Sequence, residues 1–141
     1  MYTDELIEIA IKEDIGDGDH TSLACIPTNA IGKAHLLVKE GGIIAGVELA
    51  EKIFKRIDSN LIFNKLIEDG THIKKGDIVF TIEGNRQSIL QAERLALNFM
   101  QRMSGIATTT AYYVSLVDGL NTKILDTRKT TPGLREIEKL A

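Results

Sequence analysis

The chain has 141 residues, 43% of them apolar, and 17 Lys and Arg against 20 Asp and Glu give it a net charge of −3. That size and apolar content suit an ordinary globular domain, and a net negative charge with a pI near 5.6 argues against a nucleic-acid surface. No apolar run reaches the roughly 18 residues of a membrane span, and no charged-then-apolar leader is visible. The single cysteine, Cys25, excludes an intramolecular disulfide framework, suits a reducing cytoplasm and reads as a small buried hydrophobe.

Thr3 can cap a first helix, with Asp4 and Glu5 in its opening turn. Leu6, Ile7, Ala10 and Ile11 recur at helical spacing, and Gly16 and Gly18 end the run. The acidic stretch Glu13–Ser22 has the composition of a calcium loop but not its spacing. Counted from Asp17, the sixth position is Ser22 rather than glycine and the twelfth is Thr28 rather than an acid. Turn chemistry is the better reading.

Ala34 to Val38 reads as a strand, Glu40–Gly42 as a turn and Ile43 to Ala45 as a short strand. Val47 to Ile57 is an amphipathic helix with Ala50, Ile53, Phe54 and Ile57 as its buried stripe. Glu48–Lys52 and Glu51–Lys55 are i,i+4 pairs on its wet side. Leu61 to Glu68, Gly70 to Lys74 and Ile78 to Glu83 then read as strand, turn, strand, with turns at Asp69-Gly70 and Lys75–Asp77. This run is weakly similar to the hairpins of lipoyl and biotinyl carrier domains, but no tip carries an attachable lysine in an acidic-Lys-hydrophobic setting. His20, His35 and His72 show no ligand spacing, so no metal is assigned to histidine.

From about Ser88 to Asp118 the period is helical. Ala92, Ala96, Phe99, Met103 and Ile106 form one stripe, and Arg94, Asn98 and Arg102 line up on another face. Ser104-Gly105 is expected to permit a bend or a close approach. A strand at Thr122–Asp126 should deliver a polar loop that Pro132-Gly133 interrupts, and a helix should start at Leu134–Leu140. Positions 123–135 hold Lys123, Arg128, Lys129 and Arg135 against the single acid Asp126. A local positive cluster at a strand end is where α/β enzymes bind anions. An exposed basic loop that serves only solubility is the alternative.

The wording of this loop, Asp126 to Arg135, DTRKTTPGLR in one-letter form, closely resembles the DTRKT-x-PGLR signature of the quinolinate phosphoribosyltransferase family. Gln91–Asn98 resembles that family's AER-x-x-LN helix, and Glu13–Ser22 its ED-x-G-x-GD-x-TS segment. The resemblance implies phosphoribosyl transfer from phosphoribosyl pyrophosphate to quinolinate with decarboxylation. It implies substrate binding by Thr127, Arg128 and Lys129, and by Arg94 reaching into the active site of a partner subunit. On its residues alone, Arg94 reads better as a solvated helix arginine paired with a nearby acid, and only the motif reverses that preference. Arg102 is left without a role, Asn98 reads as a packing or capping residue, and Arg135 is expected to hold the loop.

The resemblance further implies an α+β N-terminal sheet domain of hammerhead or barrel-sandwich type, followed by the start of an α/β phosphoribosyltransferase barrel. The division is placed at residues 1–86 and 87–141. A lone βα unit at the end leads us to expect a truncated barrel, with the Mg2+ ligands beyond residue 141 and the fragment inactive alone. The expected assembly is a homodimer or a multiple of dimers, in the cytoplasm. A paralogous pyridine-type phosphoribosyltransferase associated with molybdenum transport, or a non-catalytic carrier module, are the other readings.

Overall fold

The computed structural model describes residues 2–141, an α+β arrangement of two small sheets and five helices. Helix α1 spans Tyr2–Ile15, so Thr3 lies inside the helix and does not cap it. Gly16 closes α1 at φ +57°, its N–H donating to the Lys12 carbonyl at 3.1 Å, as a left-handed glycine does at a helix C-terminus. The acidic stretch is indeed turn chemistry, and it opens a helix that periodicity does not disclose. Asp19 accepts from the Ser22 N–H at 3.1 Å and caps α2, His20–Cys25. Cys25 is exposed, contrary to the expectation of a buried thiol.

Strands β1 (Ile31–Leu37), β3 (Ile62–Lys65) and β5 (Ile78–Asn85) form one antiparallel sheet in the order β1-β5-β3. Register places Ala34, Ile82 and Phe63 in one inward row. The next row outward pairs Lys33 with Glu83 by an ion pair of 2.7 Å. Beneath the sheet the rings of Phe54, Phe63 and Phe80 pack with centroids 4.4 to 6.0 Å apart. Strands β2 (Gly42–Ile43) and β4 (His72–Ile73) make a separate two-stranded sheet. The run from 61 to 83 is therefore not a pair of sequential hairpins. β4 leaves its neighbours in sequence and pairs with β2, which removes the structural basis of the carrier-domain reading.

Helix α3 spans Val47–Ile57, as its amphipathic pattern requires, and Val47, Ala50 and Ile53 are wholly buried. Each fully buried Val or Ile contributes about 1.5–3 kcal/mol. Gly46 precedes α3 at φ +94° and brings no capping side chain. The cap comes from afar: Asp69 accepts from the N–H groups of Val47 (2.8 Å) and Glu48 (3.2 Å). The expected i,i+4 ion pairs do not form, and their residues find other partners. Glu48 faces Lys65 at 3.9 Å, and Lys55 donates to the carbonyls of Ser59 and Leu61.

Helix α4 runs unbroken over Arg86–Leu116, 31 residues, through Ser104-Gly105, where a bend had been expected. A Cβ at Gly105 would meet open space, so no close approach needs this glycine either. The polar groups of this region face β2 instead. Thr108 Oγ1 accepts from the Ile43 N–H at 2.9 Å and Ser104 Oγ from the Ala45 N–H at 3.0 Å. The match is geometric: four residues of helix rise about 6.0 Å and two residues of strand about 6.6 Å. Of the expected stripe, Ala92, Ala96, Phe99 and Met103 are buried and Ile106 is half-buried.

The segment 122–126 is not a strand. Strands need a hydrogen-bonded neighbour, and no described residue provides one; Leu125 stands 82% exposed. The last helix, α5, spans Arg135–Leu140. No helix among the described residues is long and apolar enough to cross a membrane.

Candidate active site

The basic loop, Asp126–Arg135, is fixed at several points by the helices on either side of it. Thr127 Oγ1 accepts from the Lys129 N–H at 3.0 Å, closing a local turn that hydroxyl residues favour. Arg135, at the start of α5, donates to Thr130 Oγ1 (3.2 Å) and to the Arg128 carbonyl (3.4 Å). Lys139 pairs with Asp126 at 2.6 Å. Glu138 accepts from the Thr131 N–H at 3.0 Å with one carboxylate oxygen, and its other oxygen receives Arg102 Nε at 2.7 Å. Arg102 Nη2 also donates to Thr131 Oγ1 and to Glu138.

These contacts depress Glu138 below the ordinary glutamate pKa, the hydrogen bond from Arg102 being the largest cause and the Thr131 N–H the next. Arg135 holds the loop, as its place in the motif suggested. Arg102, which sequence reasoning left without a role, is the main tie between α4 and the loop. Glu138 was missed altogether, although its place one helical turn after Arg135 was a usable signal. Among the described residues, the side chains of Arg128 and Lys129 have no ion-pair partner.

Arg94 lies two turns before Arg102 on α4, about 12 Å along the axis. Its Nε donates to Asp14 Oδ1 at 2.7 Å and its Nη2 to the Asp14 carbonyl at 3.3 Å. The hydrogen bond to Asp14, then its charge, raises the pKa of Arg94. The Arg94 side chain is 68% exposed and that of Asp14 only 18%, so the arginine is held at one side and otherwise faces solvent. Its neighbour Asn98 is also exposed. Within the chain, then, Thr127, Arg128 and Lys129 lie together, while the hydrogen bonds of Arg94 go to α1 and none to the loop. Among the described residues, no group of three or more His, Cys, Asp or Glu side chains is placed to hold a metal ion.

The fold and site together define an α+β protein that carries a braced, cationic loop. Residues 19–104 match the N-terminal domain and residues 106–141 the C-terminal domain of quinolinate phosphoribosyl transferase, and the chain belongs to that family. The two matches meet within α4. Quinolinate phosphoribosyltransferase [decarboxylating] 1b of Nicotiana tabacum is 47% identical over 138 residues, covering 96% of this chain and 39% of the relative. The form of the same plant named 2b, mitochondrial, is 46% identical over 139 residues, covering 97% of this chain and 39% of the relative. The crystal structure of NadC from Streptococcus pyogenes superposes with a TM-score of 0.93 at 38% identity, covering 96% of this chain and 48% of that one. The chain thus spans less than half the length of these relatives.

Proposed function

We propose that the protein carrying this chain transfers the phosphoribosyl group of phosphoribosyl pyrophosphate to quinolinate, yielding nicotinate mononucleotide, pyrophosphate and carbon dioxide on the route to NAD. The observation that carries the reading is the braced loop with two cations, Arg128 and Lys129, whose side chains make no hydrogen bond or ion pair among the described residues, within a chain of this family. Quinolinate bears two adjacent carboxylates, and guanidinium groups grip carboxylates in bidentate fashion. Arg128 and Lys129 supply the charge and Thr127 a hydroxyl and a backbone N–H.

The pyridine nitrogen forms a bond to the ribose anomeric carbon as the carbon–oxygen bond to pyrophosphate breaks, its electron pair leaving with pyrophosphate. The ring nitrogen becomes cationic. The adjacent carboxylate then departs as carbon dioxide, its bonding electrons staying on the ring carbon, which takes a proton. Development of oxocarbenium charge favours catalysis by positioning and electrostatics over a protein nucleophile. Mg2+ belongs to the proposal through the family resemblance; the described residues lack a donor set for it, so no step here is routed through the ion.

The same reading makes residues 1–86 a hammerhead-like domain, 87–141 the opening of a phosphoribosyltransferase barrel, and the protein a homodimer or multiple of dimers in a reducing, cytoplasmic setting. In it Arg94, held outward by Asp14, serves the loop of the neighbouring subunit. Two measurements test these points. The intact protein should form nicotinate mononucleotide from quinolinate and phosphoribosyl pyrophosphate, whereas residues 1–141 alone should not; no turnover by the intact protein refutes the reaction. Mixed Arg94→Ala and Arg128→Ala homodimers, each nearly inactive, should recover roughly a quarter of wild-type activity after random subunit exchange. No recovery despite exchange confirmed by native mass spectrometry would remove Arg94 from the shared site.

A further inference from the structure

The loop is braced in a way that separates the charges it consumes from the charges it displays. Asp126 is neutralised by Lys139. Arg135 is turned onto Thr130 and the Arg128 carbonyl. Arg102 and Glu138 satisfy each other while both reach Thr131, Arg102 at the hydroxyl and Glu138 at the N–H. An acid–base pair used as an anchor adds no net charge, so the loop is fastened without weakening its positive field. Arg135 directs its donors to neutral groups, and Arg128 and Lys129 are the loop cations whose side chains make neither a hydrogen bond nor an ion pair among the described residues.

We propose that Arg102 and Glu138 are a positioning pair for the candidate site, locking Thr131 so that Arg128 and Lys129 converge on one dianionic ligand. The proposal deepens the reaction assigned above and rests on it for its catalytic consequence, but not for the structural coupling. The alternative role for Arg102, a direct substrate contact alongside Arg94 on the same helix face, fits the geometry less well. Its Nε and Nη2 are already committed to Glu138 and Thr131, and Glu138 is only 9% exposed, so this carboxylate is shielded from competing water. The depressed pKa of Glu138 agrees with an ionised anchor.

The experiment pairs amide exchange at Thr131 with steady-state kinetics, both in the intact protein. Arg102→Ala should speed exchange of the Thr131 N–H about tenfold or more. It should raise KM for quinolinate roughly tenfold while kcat changes by less than about threefold, the mark of lost ground-state grip. Arg102→Lys keeps the charge without the planar fork and should restore neither quantity fully. Glu138→Gln should act in the same direction, and it carries the test should Arg102→Ala fail to fold. In the double variant Arg102→Ala/Glu138→Ala the losses should be far from additive, since one interaction is removed twice.

A raised KM with unchanged Thr131 exchange would make Arg102 a substrate contact and overturn the proposal, as would no change in either quantity. If wild type turns quinolinate over yet the variants leave exchange untouched, the pair falls and the reaction stands. If wild type shows no turnover yet the variants free the Thr131 amide, the coupling stands and the reaction falls.

Discussion

Thr108→Val is the most direct probe of how α4 is joined to the rest of the fold. Valine keeps the branched shape of threonine and puts a methyl group where the hydroxyl was. In the folded chain that hydroxyl accepts from the Ile43 N–H at 2.9 Å and lies 3.4 Å from the Ile43 carbonyl. The opposite edge of β2 cannot take over, because there the Ile44 N–H already pairs with the Thr71 carbonyl and the Gly70 N–H with Ile44. Ile43 is buried, so the variant strands a donor away from water at a cost of roughly 1–3 kcal/mol. Space does not relieve it, since Thr108 approaches so closely that a Cβ on Gly42 would sit 2.6 Å from its hydroxyl. Ser104→Ala should cost a similar amount through the Ala45 N–H, and Thr108→Ser should cost much less. Urea unfolding monitored by circular dichroism reads the differences directly, and each kcal/mol should lower Tm by about 3–6 °C for a chain of this size. A Thr108→Val variant within about 0.3 kcal/mol of wild type would refute the view that this hydroxyl completes the strand edge.

Asp69→Ala removes the remote cap on α3 and should cost about 1 kcal/mol in the same unfolding assay; no loss would mean that water replaces it freely. Lowering the pH should release the Thr131 anchor through Glu138. Its folded pKa is lowered, so its contribution is fully present above the ordinary glutamate value and disappears as pH falls through the lowered one. Protection of the Thr131 amide, its exchange rate compared with the intrinsic rate at the same pH, should therefore fall in acid, and protection that does not change with pH would argue against an ionised anchor. In the intact protein, Arg128→Leu should weaken quinolinate binding by about 2–5 kcal/mol, by loss of a carboxylate contact and the charge left unpaired; calorimetric affinity within threefold of wild type would contradict the assignment.

Much of this protein was determined locally. The amphipathic period placed α3 at Val47–Ile57 and laid the buried stripe of α4 along Ala92, Ala96, Phe99 and Met103, because a helix buries one side whatever lies against it. The run from Asp126 to Arg135 disclosed the family, because a near-consecutive match of that length is specific where a spaced motif is not. Other features depend on partners distant in sequence and could be decided only in three dimensions. Asp69 reads as a turn residue until α3 is brought against it. The short β4 shows a strand's composition but not that β2, rather than its sequence neighbours, will pair with it. Arg94 offered two readings, and the chain itself brings Asp14 to its guanidinium. Thr122–Asp126 has the pattern of a strand but stays irregular here, since pattern supplies an apolar face and only a neighbouring strand supplies hydrogen bonds. Arg102 and Glu138 were anonymous charges in the sequence, and their contacts with each other and with Thr131 arise only when α4 and α5 come together.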